Sequence, residues 1–254
     1  VLYKKSSEIL GANVLVSVDN LDETTIGWFK DEIINAIKSL GYEVEYGVLN
    51  AMNFGVPQSR ERAIFICSKG ISIPLPKPTV NIFTSVHDAI SDIAYHESGE
   101  GTFEQEYQNP AYSSYQKKMR KGCVKLYNHI ASNHKKVAID KLKMIPPEKG
   151  KEYIPIEMRG NQKFKTTWGR LKWSEVSPTI DTRFDAASNG TNNHPFLHRA
   201  ITPREAARIQ SFDDKFIFYG AKVHIRKQIG NAVPPLMAYA IANQIYEVVT
   251  QKNK

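Results

Sequence analysis

Hydrophobic positions in the first third of the chain change between strand-like and helix-like spacing. Residues 13–18 form a short apolar run that predicts a β-strand. After Thr25, apolar residues recur every three or four positions, which predicts an amphipathic helix ending at Gly41, a residue suited to a left-handed cap. Residues 42–49 and 63–67 are further β-rich runs. This order predicts an α/β fold that includes the late strands of an open, twisted sheet.

The middle of the chain has weaker periodicity. Residues 73–78 contain three prolines and are typical of a connector, and a short helix is predicted over residues 86–94. Residues 99–161 are polar, with tyrosines placed among lysines and arginines. This pattern predicts an irregular, loop-rich second lobe.

The last 60 residues return to helical spacing. Thr202, Pro203 and Glu205 form the sequence pattern of a capping box, with proline at the first helical position. A second helix is predicted from about Pro235. Its apolar face is formed by Leu236, Met237, Ala240, Ile241, Ile245, Val248 and Val249.

Composition adds a prediction about the partner. The 254 residues include 34 lysines and arginines against 26 aspartates and glutamates, which gives a net charge of +8. A basic balance of this size favours an anionic partner, usually nucleic acid, although a solvated basic surface explains it equally well. No apolar run is long enough to cross a membrane.

The two cysteines form neither a disulfide framework nor a zinc site by number and spacing. Cys67 lies in an apolar run, where we expect a buried small side chain, and Cys123 follows Gly122 in a basic stretch. Two free thiols are typical of a reducing cytoplasm, and no metal site is predicted.

Arg60 and Arg62 are the first candidates for chemistry. In an extended segment they point to one side, where two guanidinium groups could bind a phosphate or a carbonyl oxygen. A pair of solvated arginines at the start of a strand is the alternative. The residues Gln58-Ser59-Arg60-Glu61-Arg62 form the first of three motifs.

The second motif is Thr202 to Gln210. Capping and helix propensity explain most of it and leave Arg204 and Arg208 on one helix face, so we interpret this motif as mainly architectural. The third motif is Gly230-Asn231-Ala232-Val233-Pro234-Pro235. Taken alone, it could be an ordinary turn that leads into a helix.

In this order and with this spacing, the three motifs resemble the eighth, ninth and tenth sequence blocks of the DNA (cytosine-5) methyltransferases. The resemblance implies the C-terminal portion of a Rossmann-like, S-adenosylmethionine-dependent catalytic domain and a smaller, irregular α+β target-recognition lobe. On this basis, residues 1–72 belong to the catalytic domain and residues 73–195 form the lobe. Residues 196–254 return to the catalytic domain as helices that line the cofactor pocket.

The resemblance also implies roles for residues in three groups. Arg62 would contact the carbonyl of the target base, with Arg60 and Gln58 as supports. The wall of the S-adenosylmethionine pocket would be formed, mostly through backbone contacts, by Asn231, Ala232 and Val233. Candidates for contacts to DNA phosphates or bases are Arg170, Lys172 and Arg183, and the alternative is a solvated edge with Trp168 and Trp173 packed in the core.

In this family the target cytosine is rotated out of the duplex, and a cysteine thiolate attacks its carbon 6. Carbon 5 then takes the methyl group from S-adenosylmethionine. The present sequence departs from that pattern, because it contains no Pro-Cys dipeptide, no Glu-Asn-Val block and no Phe-x-Gly-x-Gly turn.

We therefore expect this chain to supply DNA recognition and part of the active site. The N-terminal catalytic half, with its nucleophile, would belong to the same parent chain or to a separate subunit. A catalytically inactive DNA-binding or regulatory module is the alternative, and a protein that acts on RNA is a third possibility.

Overall fold

The computed structural model describes residues 23–160 and 166–252. Its first helix, α1, spans Glu23–Ser39 and confirms the predicted amphipathic helix. Gly41 follows with φ of +79°, the left-handed conformation that the sequence predicted for the end of this helix. The strand predicted over residues 13–18 lies outside the described residues.

Two strands, β1 (Glu43–Asn50) and β2 (Glu61–Ser68), pair in a two-stranded sheet. A 3-10 helix, Ala51–Phe54, follows β1 directly. The Asn50 side chain accepts a hydrogen bond from the Met52 backbone N–H at 3.2 Å and so caps this turn. Gly55 ends it with φ of +79°, and the chain then reaches the first motif.

The middle of the chain consists of short elements separated by long loops, in agreement with its weak periodicity. In the second small sheet, β3 (Glu104–Gln105) pairs antiparallel with β4 (Leu126–Tyr127), and Glu104 lies opposite Tyr127. The elements are α2 (Val86–Ile90), β3 (Glu104–Gln105), α3 (Ser114–Met119), β4 (Leu126–Tyr127), α4 (Lys136–Met144) and α5 (Ile156–Arg159), with 3-10 turns at Ser91–Ile93 and Lys151–Tyr153.

Three helices form the C-terminal part: α6 (Pro203–Ile209), α7 (Lys222–Gly230) and α8 (Pro235–Lys252). The predicted capping box at the start of α6 is confirmed. Thr202 Oγ1 accepts from the Glu205 N–H at 3.1 Å, and the Glu205 carboxylate accepts from the Thr202 N–H at 2.8 Å. None of the helices within the described ranges is long and apolar enough to span a membrane.

The described chain divides into two compact units. The smaller contains residues 23–46 and 65–74, and the larger contains residues 47–64 and 75–252. These units do not coincide with the lobes predicted above, which are defined by function and remain a prediction. The main core of the larger unit includes Ile90, Leu126, Phe184 and Ile209, each fully buried.

Cys67 corrects one expectation. It is exposed, whereas its neighbour Ile66 is buried, with only 6% of its surface accessible. Successive residues of a strand point to opposite faces, so an apolar run does not bury every member. The prediction of a buried Cys67 was therefore wrong.

Candidate functional site

The Asn50 side chain also positions the first motif. Its Oδ1 atom accepts a hydrogen bond from the Arg60 N–H at 3.1 Å, and its Nδ2 atom donates to Ser59 Oγ at 3.1 Å. The Ala51 N–H donates to the Arg60 carbonyl at 2.9 Å. These bonds fold the loop back on itself, so that Ser59 and Arg60 lie beside the end of β1.

Gln58 is held from a distant part of the chain. The Ser177 N–H donates to the Pro57 carbonyl at 3.1 Å, and the Ser59 N–H donates to the Ser177 carbonyl at 2.8 Å. The Gln58 side chain is fully buried and accepts from the Ile180 N–H at 2.8 Å. Residues 177–180 thus run beside the first motif in a short parallel pairing.

Arg60 connects three segments of the larger unit. Only 2% of its surface is exposed, and its guanidinium donates to the Ile180 carbonyl at 2.9 Å and the Gly230 carbonyl at 2.7 Å. Burial lowers the pKa of Arg60 to about 10, and the positive charge of Arg62 adds to this shift. Arg60 remains charged at neutral pH, and its two fixed bonds make it a positioning residue.

Gly230 allows this junction to close. A β-carbon at this position would lie 2.5 Å from the Asp181 carbonyl oxygen, closer than real side-chain carbons approach backbone. The glycine therefore lets the end of α7 touch the chain at Asp181 directly.

Arg62 differs from Arg60. Its side chain is half-buried, and its guanidinium donates to the carbonyl of the preceding residue, Glu61, at 2.6 Å. Across residues 23–160 and 166–252, no carboxylate lies within ion-pair distance of it. Partial burial lowers the pKa of Arg62. Most of its donors are therefore available to a ligand.

The third motif forms the end of α7 and the approach to α8. The Asn231 N–H donates to the Lys227 carbonyl at 3.1 Å, and the Ala232 N–H donates to the Ile229 carbonyl at 3.3 Å. The sequence predicted backbone contacts from this motif to a cofactor. If these two N–H groups made such contacts, they would have to give up their hydrogen bonds at the end of α7. The Asn231 side chain is exposed, and Val233 is 45% exposed.

The three predicted DNA contacts have different environments. Arg170 is 2% exposed, and its guanidinium donates four hydrogen bonds to backbone carbonyls. These acceptors lie 2.6 to 3.1 Å away and belong to Leu142, Ile145, His194 and Leu197. The protein itself therefore occupies four of the five donors of Arg170, which leaves little capacity for the predicted DNA contact. Lys172 is exposed and pairs with Glu175 at 2.8 Å, and Arg183 is exposed at the surface.

With this geometry in view, the sequence can be compared with known proteins. The model of the family described as C-5 cytosine-specific DNA methylase matches residues 17–247. The chain belongs to this methylase family.

Individual relatives support this family membership. The type II methyltransferase M.DdeI of Desulfomicrobium norvegicum is 36% identical over 243 residues, which cover 86% of this chain and 58% of that protein. The type II methyltransferase M1.HphI of Haemophilus parahaemolyticus is 30% identical over 240 residues, which cover 94% of this chain and 57% of that protein. The chain thus spans less than two thirds of the length of either relative.

A solved structure supports the fold. A crystal structure described as a prophage-encoded DNA modification methyltransferase of E. coli matches with a TM-score of 0.68 at 21% identity. The match covers 91% of this chain and 67% of that one. It shows that this methylase-family chain shares the mixed α/β fold of that protein.

Within this methylase-family chain, the ninth-block helix α6 is architectural, as the sequence indicated. All seven of its residues are buried. Arg208 binds Asp214 at 2.6 and 2.9 Å and Asp92 at 2.5 Å. Arg204 donates to the carbonyls of Tyr127, Asp213 and Phe216. The partner Asp92 is 116 residues away in sequence, and no local signal identified it.

The two cysteines of the methylase-family chain have raised pKa values. Burial raises the pKa of both the Cys67 and Cys123 thiols, and the charges of Asp214 and Asp213 raise the pKa of Cys123 further. A nucleophilic cysteine needs a lowered pKa. In the part of the chain that the structure describes, no cluster of side chains is arranged to hold a metal ion.

Proposed function

We propose that this chain supplies DNA recognition and part of the active site of a DNA (cytosine-5) methyltransferase. The enzyme would transfer the methyl group of S-adenosylmethionine to carbon 5 of cytosine in a specific duplex sequence. The observation that carries the proposal is the junction at Arg60, where the first and third family motifs share one buried guanidinium. An inactive regulatory module would have no need to keep Arg62 available beside that junction.

In this proposal Arg62 contacts the carbonyl oxygen of a cytosine rotated out of the duplex. Its charged guanidinium is partly desolvated and, within the residues that the structure describes, donates one hydrogen bond, to the Glu61 carbonyl. A cation in a partly dry site interacts more strongly with a developing negative charge than one in water. Gln58 and Arg60, both buried and hydrogen-bonded to Ile180, would hold the segment in place.

S-adenosylmethionine would lie against the third motif. The exposed Val233 offers an apolar surface for its adenine ring, and the Asn231 amide offers a donor and an acceptor. When bound, this cofactor supplies the electrophilic methyl group. The fit rests on side chains, because the N–H groups of Asn231 and Ala232 already end α7.

The nucleophile would come from outside these 254 residues. Neither cysteine follows a proline, and the pKa of each thiol is raised. A longer parent chain or a separate subunit would therefore contribute the catalytic cysteine and the glycine-rich cofactor turn.

DNA phosphates would be bound by exposed cations, with Arg183 and Lys172 as the candidates that the structure leaves accessible. Arg183 lies two residues from Asp181, which touches the junction at Gly230. A phosphate contact there would position the duplex relative to Arg62.

The test is Arg62→Ala in the complete enzyme, meaning this chain together with its N-terminal half. We expect turnover to fall by about 10²-fold or more, while DNA affinity changes by less than about tenfold, because the contact strengthens in the transition state. Methyl incorporation and duplex binding are measured on the same preparation.

Arg183→Ala is the matched control, and it should weaken DNA binding but leave turnover at saturating DNA unchanged. Equal losses of turnover and affinity in Arg62→Ala would make Arg62 a simple phosphate contact. A complete enzyme that carries the wild-type chain and methylates nothing would favour the inactive module.

A further inference from the structure

An open cavity of about 440 Å³ lies in the larger unit, apart from the junction around Arg60. Its size falls within the range of small-molecule and cofactor sites. It is lined by His87, Ser91, Ala94, Tyr112, Trp173 and Phe196. The family motifs contribute none of these residues.

Aromatic rings form most of the lining. The Trp173 ring lies 5.5 Å from the His87 ring and 6.0 Å from the Phe196 ring, measured between centroids. Tyr112 and Phe196 are 57% and 43% exposed, so both rings can be reached from solvent. A flat ligand could stack against these rings.

The lining also offers polar groups without internal partners. Ser91 Oγ accepts a hydrogen bond from Gln116 Nε2 at 2.8 Å, which leaves its own proton to donate. In the described part of the chain, neither the Tyr112 hydroxyl nor the His87 ring nitrogens form a hydrogen bond within the protein. Two hydroxyls and an imidazole, which can donate or accept hydrogen bonds, suit the edge of a heteroaromatic ring.

The tryptophan is held in place before any ligand arrives. Its backbone N–H donates to the Glu148 carboxylate at 2.7 Å, and its carbonyl accepts from the His87 N–H at 2.9 Å. The neighbouring residue Lys172 is exposed and places a positive charge beside Trp173 in the chain. A rigid aromatic surface next to a cation is the arrangement that binds unstacked bases along a nucleic-acid strand.

We propose that this cavity, whose lining includes neither Arg60 nor Arg62, binds one unpaired nucleobase of the DNA. The base would stack on the accessible face of the Trp173 or Phe196 ring, which already contact each other at 6.0 Å, and hydrogen-bond to Ser91 or His87. The inference rests on the proposed function, because DNA is the source of the base. No carboxylate lines the cavity, so a cationic ligand finds no counter-charge there.

The experiment compares two DNA duplexes of the same sequence, one fully paired and one with a single extra, unpaired adenine. Binding to the complete enzyme, this chain together with its N-terminal half, is measured by fluorescence anisotropy. We expect tighter binding to the duplex with the unpaired base. Tyr112→Ala and Phe196→Ala should each reduce that preference about fivefold or more, since stacking on one aromatic ring contributes about 1–3 kcal/mol per base.

Tyr246→Ala is the matched control, because Tyr246 is 67% exposed on α8 and does not line the cavity. It should leave the preference intact. A second measurement needs no variant. With 2-aminopurine as the unpaired base, its fluorescence should fall further when the enzyme binds, because the base stacks on Trp173.

Equal affinity of the wild-type enzyme for the two duplexes, or unchanged 2-aminopurine fluorescence, would overturn the cavity inference and leave DNA recognition standing. Equal loss of affinity for both duplexes in the two cavity variants would also overturn it, since that result would indicate a general phosphate surface. Absence of binding to either duplex would overturn the proposed function together with the inference.

Discussion

In helix α6, Arg204 and Arg208 are fully buried, and their guanidinium groups donate hydrogen bonds to carbonyl and carboxylate oxygens. At the start of β2, Arg62 is half-buried and donates to the carbonyl of its neighbour Glu61. The same side chain thus serves two purposes within one compact unit. The number of fixed partners distinguishes an arginine that holds the fold from one that is available to a ligand.

Arg60 lies between these two cases. It belongs to the same motif as Arg62, yet its two bonds to Ile180 and Gly230 give it the character of the α6 arginines. Arg60 and Arg62, two arginines of one motif, therefore have different roles. Substitutions that remove a buried guanidinium should affect stability, whereas substitutions of an exposed one should affect binding or turnover.

The largest effect is expected for Arg208→Met. Removal of this guanidinium leaves the buried carboxylate of Asp214 without its main partner and weakens the pairing of Asp92. We expect the free energy of unfolding to fall by about 3–5 kcal/mol, as for other broken buried ion pairs. Urea unfolding followed by circular dichroism measures it.

Arg62→Met is the control for that experiment and should change stability by no more than about 0.5 kcal/mol. Similar losses for the two variants would break the comparison between fixed and available arginines.

A smaller loss is expected for Arg60→Met. The substitution leaves the carbonyls of Ile180 and Gly230 without their donor, which should cost about 2 kcal/mol. Arg60→Lys keeps a charge and one possible donor, so its loss should be smaller. If Arg60→Met unfolded at the same urea concentration as the wild type, the buried Arg60 guanidinium would not stabilise the fold.

The environment of Arg199 predicts a pH dependence of stability. Burial, followed by the positive charge of Arg199, holds the pKa values of His129 and His194 well below the ordinary 6.5. Both are neutral when folded, whereas the unfolded chain takes up protons below pH 6.5. Stability should therefore be constant above this pH and fall below it, by up to about 1.4 kcal/mol per pH unit for each histidine.

His129→Gln should reduce that slope, measured as unfolding free energy between pH 7.5 and 5.5, and leave the contributions of His194 and of His134, whose pKa burial also lowers. The carboxylates of Glu205 and Asp214 do not contribute in this range. Their pKa values are lowered from 4.5 and 3.8, so their stabilisation is lost only at more acidic pH. A flat profile would show that the histidines titrate normally.

The smallest effect on stability is expected for Arg183→Gln, which removes an exposed side chain. DNA affinity should fall for all sequences alike, and the dependence of binding on salt should weaken by about one counterion. Lys172→Gln is expected to do less, because Lys172 is partly neutralised by Glu175. Binding titrations at several salt concentrations measure both. An unchanged salt dependence in Arg183→Gln would remove Arg183 from the interface.

Local features of this chain could be predicted from the sequence. The left-handed Gly41, the capping box at Thr202 and the helix that begins at Pro235 all depend on residues within a few positions of each other. The order of the motifs was sufficient to identify the family.

Long-range partners could not be predicted. Arg60 binds carbonyls 120 and 170 residues away, and the backbone of any residue could have supplied them. Arg170 appeared as accessible as Arg183, because a sequence does not reveal which arginine is surrounded by carbonyl oxygens. The error at Cys67 has the same origin, since burial on a strand depends on which face is covered.

The contact between Gly230 and Asp181 restricts how this molecule can be engineered. Main-chain atoms fill the space that a β-carbon would need. Among all residue types at position 230, only glycine should therefore give a stably folded protein. Engineering of this chain should keep this contact and randomise exposed loops instead.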